Sequence, residues 1–293
     1  MIQVVPQSKK ISAADGTPLF VNDYLLNEPG VCRGGVVIMH GLGEHAGRHA
    51  HVARFFNDCG FSVRTYDHRG HGKSGGPRGD VPRGDAILQD GQIIIDDFST
   101  QLGQAPLLLG HSMGGLFAAR FALEKISPLR GLILSSPALA VSLSGIEQLF
   151  LKLMIRVAPR LAIPNGLKVN QLSRDPNVAL AYQKDPLVHN KITARLLTRM
   201  LDAMAFCHAH AATLSIPVLM VVAGSDGLVN AAGSQAFYPK VPTELMTWQW
   251  YPEMYHELFN EPDAGRVFGD IRTWLSLLAP LHAPLASDDF KLG

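Results

Sequence analysis

Ser112 lies at the centre of the sequence Gly-His-Ser-Met-Gly, which occupies residues 110–114. The preceding residues 105–109 form a short apolar run, as expected for a buried strand, and residues 115–125 are rich in helix formers. A strand, a sharp turn and a helix around a serine form a nucleophile elbow, which holds the hydroxyl exposed at the turn. The flanking glycines fit this turn because a Cβ there would collide with neighbouring backbone. We therefore predict that Ser112 is a catalytic nucleophile.

A second serine, Ser74, also fits the Gly-x-Ser-x-Gly pattern, at residues 72–76. No apolar strand leads directly into Ser74, and the glycines and proline that follow it are typical of a loop rather than a helix. The five-residue pattern carries little weight without its strand and its helix. We therefore expect Ser74 to take no part in the chemistry.

A serine nucleophile needs a general base, and the base needs a carboxylate that orients it. The apolar run at residues 218–223 leads into Asp226, and the run at residues 245–250 leads in the same way into His256. Functional side chains of an open α/β sheet lie on the loops that follow such strand ends. Taken alone, Asp226 could equally be a turn residue and His256 a surface histidine. The chain order Ser112, Asp226, His256 is that of the α/β-hydrolases and predicts a catalytic triad.

A backbone site for the oxyanion is predicted at a further strand end. The sequence His-Gly-Leu-Gly at residues 40–43 follows the apolar run at residues 36–39. An amide of this loop and the amide after the nucleophile are the donors expected in such a fold. We assign the oxyanion hole to the N–H groups of Leu42 and Met113. Without the downstream elbow, His40-Gly41 would indicate only a turn after a strand.

The elements that must position these residues alternate between strands and helices. We predict strands at residues 35–39, 61–66, 105–109, 131–136, 218–223 and 245–250, and helices at residues 49–59, 86–102, 115–125, 231–238 and 265–278. Residues 11–20 are predicted to form an antiparallel hairpin. Near-continuous apolar strands alternating with helices indicate an α/β fold with a mostly parallel sheet that is covered on both faces.

Residues 137–214 interrupt this alternation, because they contain helical stretches and several prolines but no clear strand. We therefore predict an α/β core of residues 1–136 and 215–293 and an inserted helical cap at residues 137–214. A predicted cap helix at residues 144–161 carries Phe150 and Met154 on apolar faces, and basic residues recur on it every four positions. Ordinary packing explains this helix as well as a second interpretation, in which Phe150 and Met154 bind an acyl chain and the helix touches lipid aggregates or membranes.

The formal net charge of +1 over 293 residues gives no electrostatic reason to expect a nucleic-acid partner. No apolar run is long enough to span a bilayer, and residues 1–10 lack the pattern of a secretory signal. Cys32, Cys59 and Cys207 are scattered and odd in number, which favours free thiols in a reducing compartment. We therefore expect a cytoplasmic protein, with membrane contact through the cap as the open alternative. The sequence does not indicate an oligomeric state.

The residue spacing does not fit two other kinds of site, a phosphate-binding P-loop and a zinc site. A P-loop ending at residues 72–74 would need a glycine where the sequence has Asp67, and the zinc-protease sequence His-Glu-x-x-His fails at Asn260. No carboxylate or cysteine completes a convincing zinc set with the neighbouring histidines, His45, His49 and His51. We expect no metal and no cofactor.

Four sequences together resemble the monoacylglycerol lipase and lysophospholipase branch of the α/β-hydrolases. They are HGLGEHAGR at residues 40–48, YDHRGHGKS at 66–74, GHSMGG at 110–115 and YHE at 255–257. The resemblance implies an eight-stranded sheet with a helical cap, no metal, and hydrolysis of single-chain acyl esters through an acyl-enzyme on Ser112. Monoacylglycerol is the expected substrate, with lysophospholipids or short- to medium-chain esters as alternatives. A non-catalytic ligand-binding protein of the same fold is the alternative from another class.

Overall fold

The computed structural model describes residues 4–26, 32–82, 84–141 and 144–278. Within these ranges the strands are β1 Gln7–Ser12, β2 Pro18–Tyr24, β3 Gly35–Met39, β4 Ser62–Tyr66, β5 Leu107–His111, β6 Gly131–Ser135, β7 Ala162–Pro164, β8 Lys191–Thr193, β9 Val218–Ala223 and β10 Met246–Tyr251. The α-helices are α1 Ala50–Asp58, α2 Ala86–Leu102, α3 Met113–Leu123, α4 Gly145–Val157, α5 Pro176–Lys184, α6 Ala194–His210, α7 Ala232–Phe237 and α8 Ala264–Leu277. Short 3-10 helices and turns join them.

An eight-stranded sheet in the order β1-β2-β4-β3-β5-β6-β9-β10 forms the centre of the molecule. β1 and β2 pair antiparallel as the predicted hairpin, and β2 lies antiparallel to β4. The other neighbours are parallel. All residues of β3, β4, β5, β6 and β9 are buried, as expected for parallel strands covered on both faces. The predicted α/β-hydrolase sheet is confirmed, and its parallel strands bring the loops after β3, β5, β9 and β10 to one edge.

Successive residues of a strand point to opposite faces, and this alternation divides the core into two layers. Met39 of β3 belongs to the layer that contains Phe121 and the buried faces of α2 and α3. Its neighbour Ile38 belongs to the other layer, with Phe56 of α1 and residues of α8. The sheet is therefore fixed from both sides, which gives the loops at its edge a rigid base.

The described part of residues 137–214 contains α4, α5 and α6 and contributes no strand to the eight-stranded sheet. The prediction that this segment has no strands is wrong, because β7 and β8 pair antiparallel, with Ile163 opposite Ile192. Each of these strands has three residues, which is too short for an alternating pattern to be visible in the sequence.

All three cysteines are free thiols, of which Cys207 is buried and Cys32 and Cys59 are half-buried. In the described ranges, no helix is both long enough and apolar enough to cross a bilayer.

Candidate active site

Ser112 lies between β5 and α3, at the predicted turn. Its backbone has φ 55° and ψ −118°, a conformation that costs a non-glycine residue about 1–3 kcal/mol. The Ser112 N–H donates to the Ser135 carbonyl over 3.0 Å. A Cβ on Gly110 would collide with the Gly114 carbonyl, and a Cβ on Gly114 would collide with the Met39 carbonyl. Both glycines are therefore required by the close approach of strand, turn and helix that holds the serine.

Asp226 and His256 lie on the loops after β9 and β10 and form a hydrogen bond. Nδ1 of His256 donates to Oδ2 of Asp226 over 2.7 Å. The other carboxylate oxygen accepts the N–H groups of Leu228 and Val229, each over 2.9 Å, which fixes the orientation of the carboxylate. With Nδ1 engaged, Nε2 is the ring nitrogen left for proton transfer.

The charges of this pair stabilise each other. Burial alone would raise the pKa of Asp226, but the charge and hydrogen bond of His256 lower it below its ordinary value. Burial alone would lower the pKa of His256, but the Asp226 carboxylate more than reverses this effect, so the pKa of His256 is raised. The carboxylate therefore favours the imidazolium that a general base becomes.

Ser112 and His256 line a cavity of about 210 Å³, and Leu42 and Met113 line it as well. Within the described residues, the backbone N–H groups of Leu42 and Met113 donate to no other group. The neighbouring Gly41 N–H is engaged, since it donates to the Glu44 carboxylate over 2.6 Å. Two free amides therefore lie in the wall of the Ser112 cavity, where an oxyanion needs them.

One part of the cavity wall is polar and includes Glu44 and Glu257, which Arg48 joins. The Arg48 guanidinium donates to Glu257 over 2.6 and 2.8 Å and to Glu44 over 2.6 Å. It also stacks on the Tyr182 ring, 4.8 Å from the ring centre. Burial alone would raise the pKa of Glu257, but the Arg48 charge holds it below its ordinary value. The sequence analysis did not identify this network. Its indication in the sequence was the presence of Glu44 and Arg48 in HGLGEHAGR at residues 40–48.

The rest of the wall is largely apolar, and much of it comes from residues 137–214. Leu197, Met200 and Met204 of α6 face the cavity, and Leu42 and Val229 complete the apolar surface from the core. A single cavity therefore connects the predicted nucleophile with a polar surface and an apolar surface.

Three other residues weighed from the sequence lie away from this cavity. Ser74 is buried, and its hydroxyl donates to the Asp67 carbonyl over 2.6 Å and accepts the Phe20 N–H over 2.8 Å, so it joins the loop after β4 to strand β2. Phe150 and Met154 are not among the described residues that line the cavity. Phe150 is 49% exposed on α4, and the predicted role of the two residues in acyl binding is not supported by their position.

The histidines considered for zinc have separate partners. Nε2 of His45 lies 2.8 Å from Asp185, that of His49 lies 3.1 Å from Glu44, and that of His51 lies 3.1 Å from the Phe259 carbonyl. Among the described residues, no group of three or more histidine, cysteine, aspartate or glutamate side chains could hold a metal ion.

Known proteins of similar sequence and structure show the family to which this chain belongs. Residues 30–263 match the family model described as serine aminopeptidase, S33. The monoacylglycerol lipase of Mycolicibacterium smegmatis is 35% identical over 83% of this chain and 88% of that protein. Phospholipase YtpA of Bacillus subtilis is 30% identical over 82% of this chain and 93% of that protein. The crystal structure of the Paleococcus ferrophilus monoacylglycerol lipase matches with a TM-score of 0.78 and 32% identity, and covers 94% of this chain and 100% of that chain. The chain therefore belongs to the S33 family of α/β-hydrolases, in the branch of the monoacylglycerol lipases.

Proposed function

We propose that this protein is a serine hydrolase that cleaves monoacylglycerols and related single-chain acyl esters. One observation carries the proposal: the strained elbow residue Ser112 shares a cavity with His256, whose ring Asp226 orients through a 2.7 Å hydrogen bond. The two relatives named monoacylglycerol lipase support the choice of substrate.

The reaction follows from the placement of these groups. Ser112 attacks the ester carbonyl while Nε2 of His256 takes the hydroxyl proton, and Asp226 stabilises the resulting imidazolium. The amides of Leu42 and Met113 hold the oxyanion, and each contributes about 3 kcal/mol in the transition state. His256 then protonates the departing alcohol, and a water molecule activated by the same histidine releases the acid from Ser112.

The cavity favours an ester over the N-terminus of a peptide, although the family description refers to an aminopeptidase. A buried ammonium group needs a carboxylate partner, because its desolvation is otherwise costly. The carboxylates in the cavity wall, Glu44 and Glu257, are both already bound by Arg48. The apolar surface formed by Met200, Met204 and their neighbours suits an acyl chain instead.

The proposal includes a role for residues 137–214 as a cap that brings the protein to lipid. The N-terminus of α4 has a capping box formed by Ser144 and Glu147, and none of the residues of α4 is buried. Ile146, Leu149 and Leu153 on one face are 56–82% exposed. An exposed apolar stripe beside cationic residues is typical of helices that lie in a membrane interface. The protein would act on lipid surfaces from the cytoplasm, where free cysteines are usual.

Matched serine variants test this function on monoacylglycerols and p-nitrophenyl esters of graded chain length. Ser112→Ala should lower kcat by about 10⁴-fold or more and abolish labelling by a fluorophosphonate. Ser74→Ala should keep the chemistry and lose about 1–3 kcal/mol of folding stability, because it leaves the Phe20 N–H without its acceptor. Equal losses of kcat in the two folded variants would contradict the assignment. A wild-type protein that neither labels nor turns over any ester would be a binding protein of this fold.

A further inference from the structure

The loop of residues 40–48 carries Leu42, the proposed oxyanion donor, and parts of the α/β core hold this loop on both sides of it. The Gly41 N–H donates to the Glu44 carboxylate over 2.6 Å. The Ala46 N–H donates to the Asp67 carboxylate over 2.7 Å. Two further contacts to the residues between them, Gly43 and His45, come from the proposed cap.

The first contact from the cap is made to Gly43, the residue after Leu42. The Gly43 carbonyl accepts the His189 N–H over 2.9 Å. Gly43 has φ 80°, and a Cβ on it would lie 2.5 Å from the His189 carbonyl oxygen and 3.2 Å from the Tyr182 hydroxyl. Glycine is therefore required for the cap to approach the loop this closely. The backbone of His189 thus fixes the position of the peptide that follows Leu42.

The second contact from the cap is made to the His45 ring. Nδ1 of His45 accepts the Gly47 N–H over 3.2 Å, so the ring proton is on Nε2, which donates to Oδ2 of Asp185 over 2.8 Å. Burial alone would raise the pKa of Asp185, but the hydrogen bond from His45 and the charge of Arg48 lower it below its ordinary value. Asp185 is therefore ionised at neutral pH, which makes it a strong acceptor for the ring.

Asp185 supports both of these contacts. Its second carboxylate oxygen, Oδ1, accepts the Leu187 N–H over 2.9 Å, and its carbonyl accepts the Val188 N–H over 3.2 Å. These bonds form a turn that leads directly to His189, as is typical of an aspartate before a proline. Pro186 also favours the extended backbone that residue 185 has, with φ −77° and ψ 116°. One carboxylate therefore binds His45 and stabilises the turn that presents the His189 N–H to Gly43.

The same half of the cap is joined to the loops of the other two triad residues. The Leu172 carbonyl accepts the Glu257 N–H over 2.7 Å, directly after His256 in the chain. A Cβ on Gly227, the residue after Asp226, would lie 2.5 Å from Oε1 of Gln171. This part of the cap is thus packed into the frame of the active site, in contrast to α4, none of whose residues is buried.

We propose that Asp185 is a positioning residue for the oxyanion hole, which acts on Leu42 from the cap through His45 and His189. This inference rests on the proposed ester hydrolysis at Ser112, with Leu42 as an oxyanion donor. Asp185 is not among the described residues that line the Ser112 cavity, so it acts on the rate without touching the substrate. A misplacement of about 1 Å in a catalytic group can cost about 100-fold in rate, so small shifts of this loop are sufficient.

Asp185→Asn changes the hydrogen bonds with almost no change in volume. If its oxygen stays on the Leu187 N–H, its NH₂ group meets the Nε2–H of His45, and moving the ring proton to Nδ1 would lose the Gly47 N–H instead. We expect kcat on p-nitrophenyl butyrate to fall about 10- to 100-fold, with KM within about two-fold of the wild type. Asp202→Asn is the matched control, since Asp202 is exposed on α6 with Arg199 as its partner at 3.3 Å, and it should leave both constants unchanged.

Two substitutions of His45 separate the bond to Asp185 from the rest of the ring. The amide of His45→Gln lies near the position of Nε2 and can still donate to Asp185, so this variant should keep most of kcat. The amide of His45→Asn lies near the position of Nδ1 and cannot reach Asp185, so this variant should reproduce the loss. The pair tests the proposal even if Asp185→Asn does not fold.

A trifluoromethyl ketone distinguishes a displaced oxyanion hole from a general loss of structure. It adds to Ser112 as a hemiketal whose negative oxygen needs the same amides as the transition state. Its Ki should rise in Asp185→Asn and His45→Asn by about the factor by which kcat/KM falls. The pH midpoint of kcat/KM should stay where it is in the wild type, because the Asp226–His256 hydrogen bond is not touched.

The outcomes separate this inference from the proposed function. Unchanged kcat and Ki in folded Asp185→Asn or His45→Asn, or a rise in KM alone, would overturn the positioning role and leave ester hydrolysis intact. A shifted pH midpoint would assign the effect of Asp185 to the general base and would also overturn it. A wild type that neither hydrolyses the ester nor binds the ketone would instead overturn the proposed function.

Discussion

The Asp226–His256 hydrogen bond determines both the rate and the pH dependence expected of the triad. The neutral form of His256 is the base, so activity rises with pH as the ring loses its proton. Because Asp226 raises the pKa of His256, this rise occurs at higher pH than for an isolated histidine. The carboxylate itself is held by the amides of Leu228 and Val229, so the geometry depends on the backbone of one loop.

Asp226→Asn separates the two effects of the carboxylate. We expect kcat to fall by about 10⁴-fold, because the amide favours the wrong tautomer of His256. The pH at which residual kcat/KM reaches half of its plateau should move down, since the group that raised the pKa is gone. Profiles of kcat/KM against pH for the wild type and the variant, with circular dichroism as the folding control, measure both. A nearly normal rate, or an unchanged midpoint, would assign the carboxylate role to another residue.

The placement of Ser112, Asp226 and His256 at one edge of the sheet could be predicted from single residues because each follows an apolar run, and strand ends of a parallel sheet meet at one edge. Arg48 and Glu257 could not be paired in this way. They lie 209 residues apart, and only the folded sheet brings the loop after β3 next to the loop after β10. Glu44, in contrast, orients the loop of residues 40–43 through a local contact, since it accepts the Gly41 N–H only three residues away.

At the scale of the element, α4 has its two faces in different surroundings. Leu151, Met154 and Ile155 are half-buried, whereas the opposite apolar stripe is open to solvent. Its residues are 49–82% exposed: Ile146, Leu149, Phe150, Leu153 and Val157. The sequence predicted this helix from its apolar content, but periodicity alone could not decide which apolar face packs on the protein. It also could not reveal β7 and β8, because three-residue strands carry no period.

The exposed stripe predicts that α4 binds lipid. Leu149→Asp combined with Leu153→Asp should weaken binding to vesicles that contain anionic lipid by at least about ten-fold, because burial of each leucine in the interface contributes about 1.5–3 kcal/mol. Turnover of a water-soluble short ester should stay normal, since neither residue lines the Ser112 cavity. Flotation with vesicles measures the binding.

Leu180→Asp provides the matched control for these variants, because Leu180 is 50% exposed on α5, outside the stripe. It should float as the wild type does. If the double variant and the control float equally well, or if the wild type does not float at all, the stripe has no role in lipid contact.

At the scale of the whole molecule, the edge of the sheet that carries Ser112 packs against a group of neutral histidines, of which His40, His68 and His71 are buried and His189 is half-buried. The His40 ring donates from Nδ1 to the Gly41 carbonyl over 2.7 Å and accepts the His68 N–H at Nε2 over 2.9 Å, which requires the neutral form. The ring centres of His40 and His68 are 4.6 Å apart, as are those of His71 and His189. The group supports the loop that carries Leu42, so its charge state matters to the fold and the site together.

Burial opposes protonation of this group. It lowers the pKa of His40 to about 3 and that of His189 to about 4, and it holds the pKa values of His68 and His71 well below the ordinary value of 6.5. Since the unfolded chain takes up these protons near pH 6.5 and the folded chain does not, their contribution to stability is present above pH 6.5. It is lost as the pH falls from 6.5 towards the folded pKa values.

The free energy of unfolding should therefore fall between pH 6.5 and 4.5 with a slope greater than about 1.4 kcal/mol per pH unit, the limit for one titrating group. Urea unfolding at a series of pH values measures this slope. His189→Gln should reduce it by up to about 1.4 kcal/mol per pH unit, because one proton fewer distinguishes the unfolded chain from the folded one. His189 is half-buried, whereas the other three are buried, so its substitution should disturb the fold least. A slope that stays flat over this range, or one that His189→Gln leaves unchanged, would show that these rings are protonated in the folded protein.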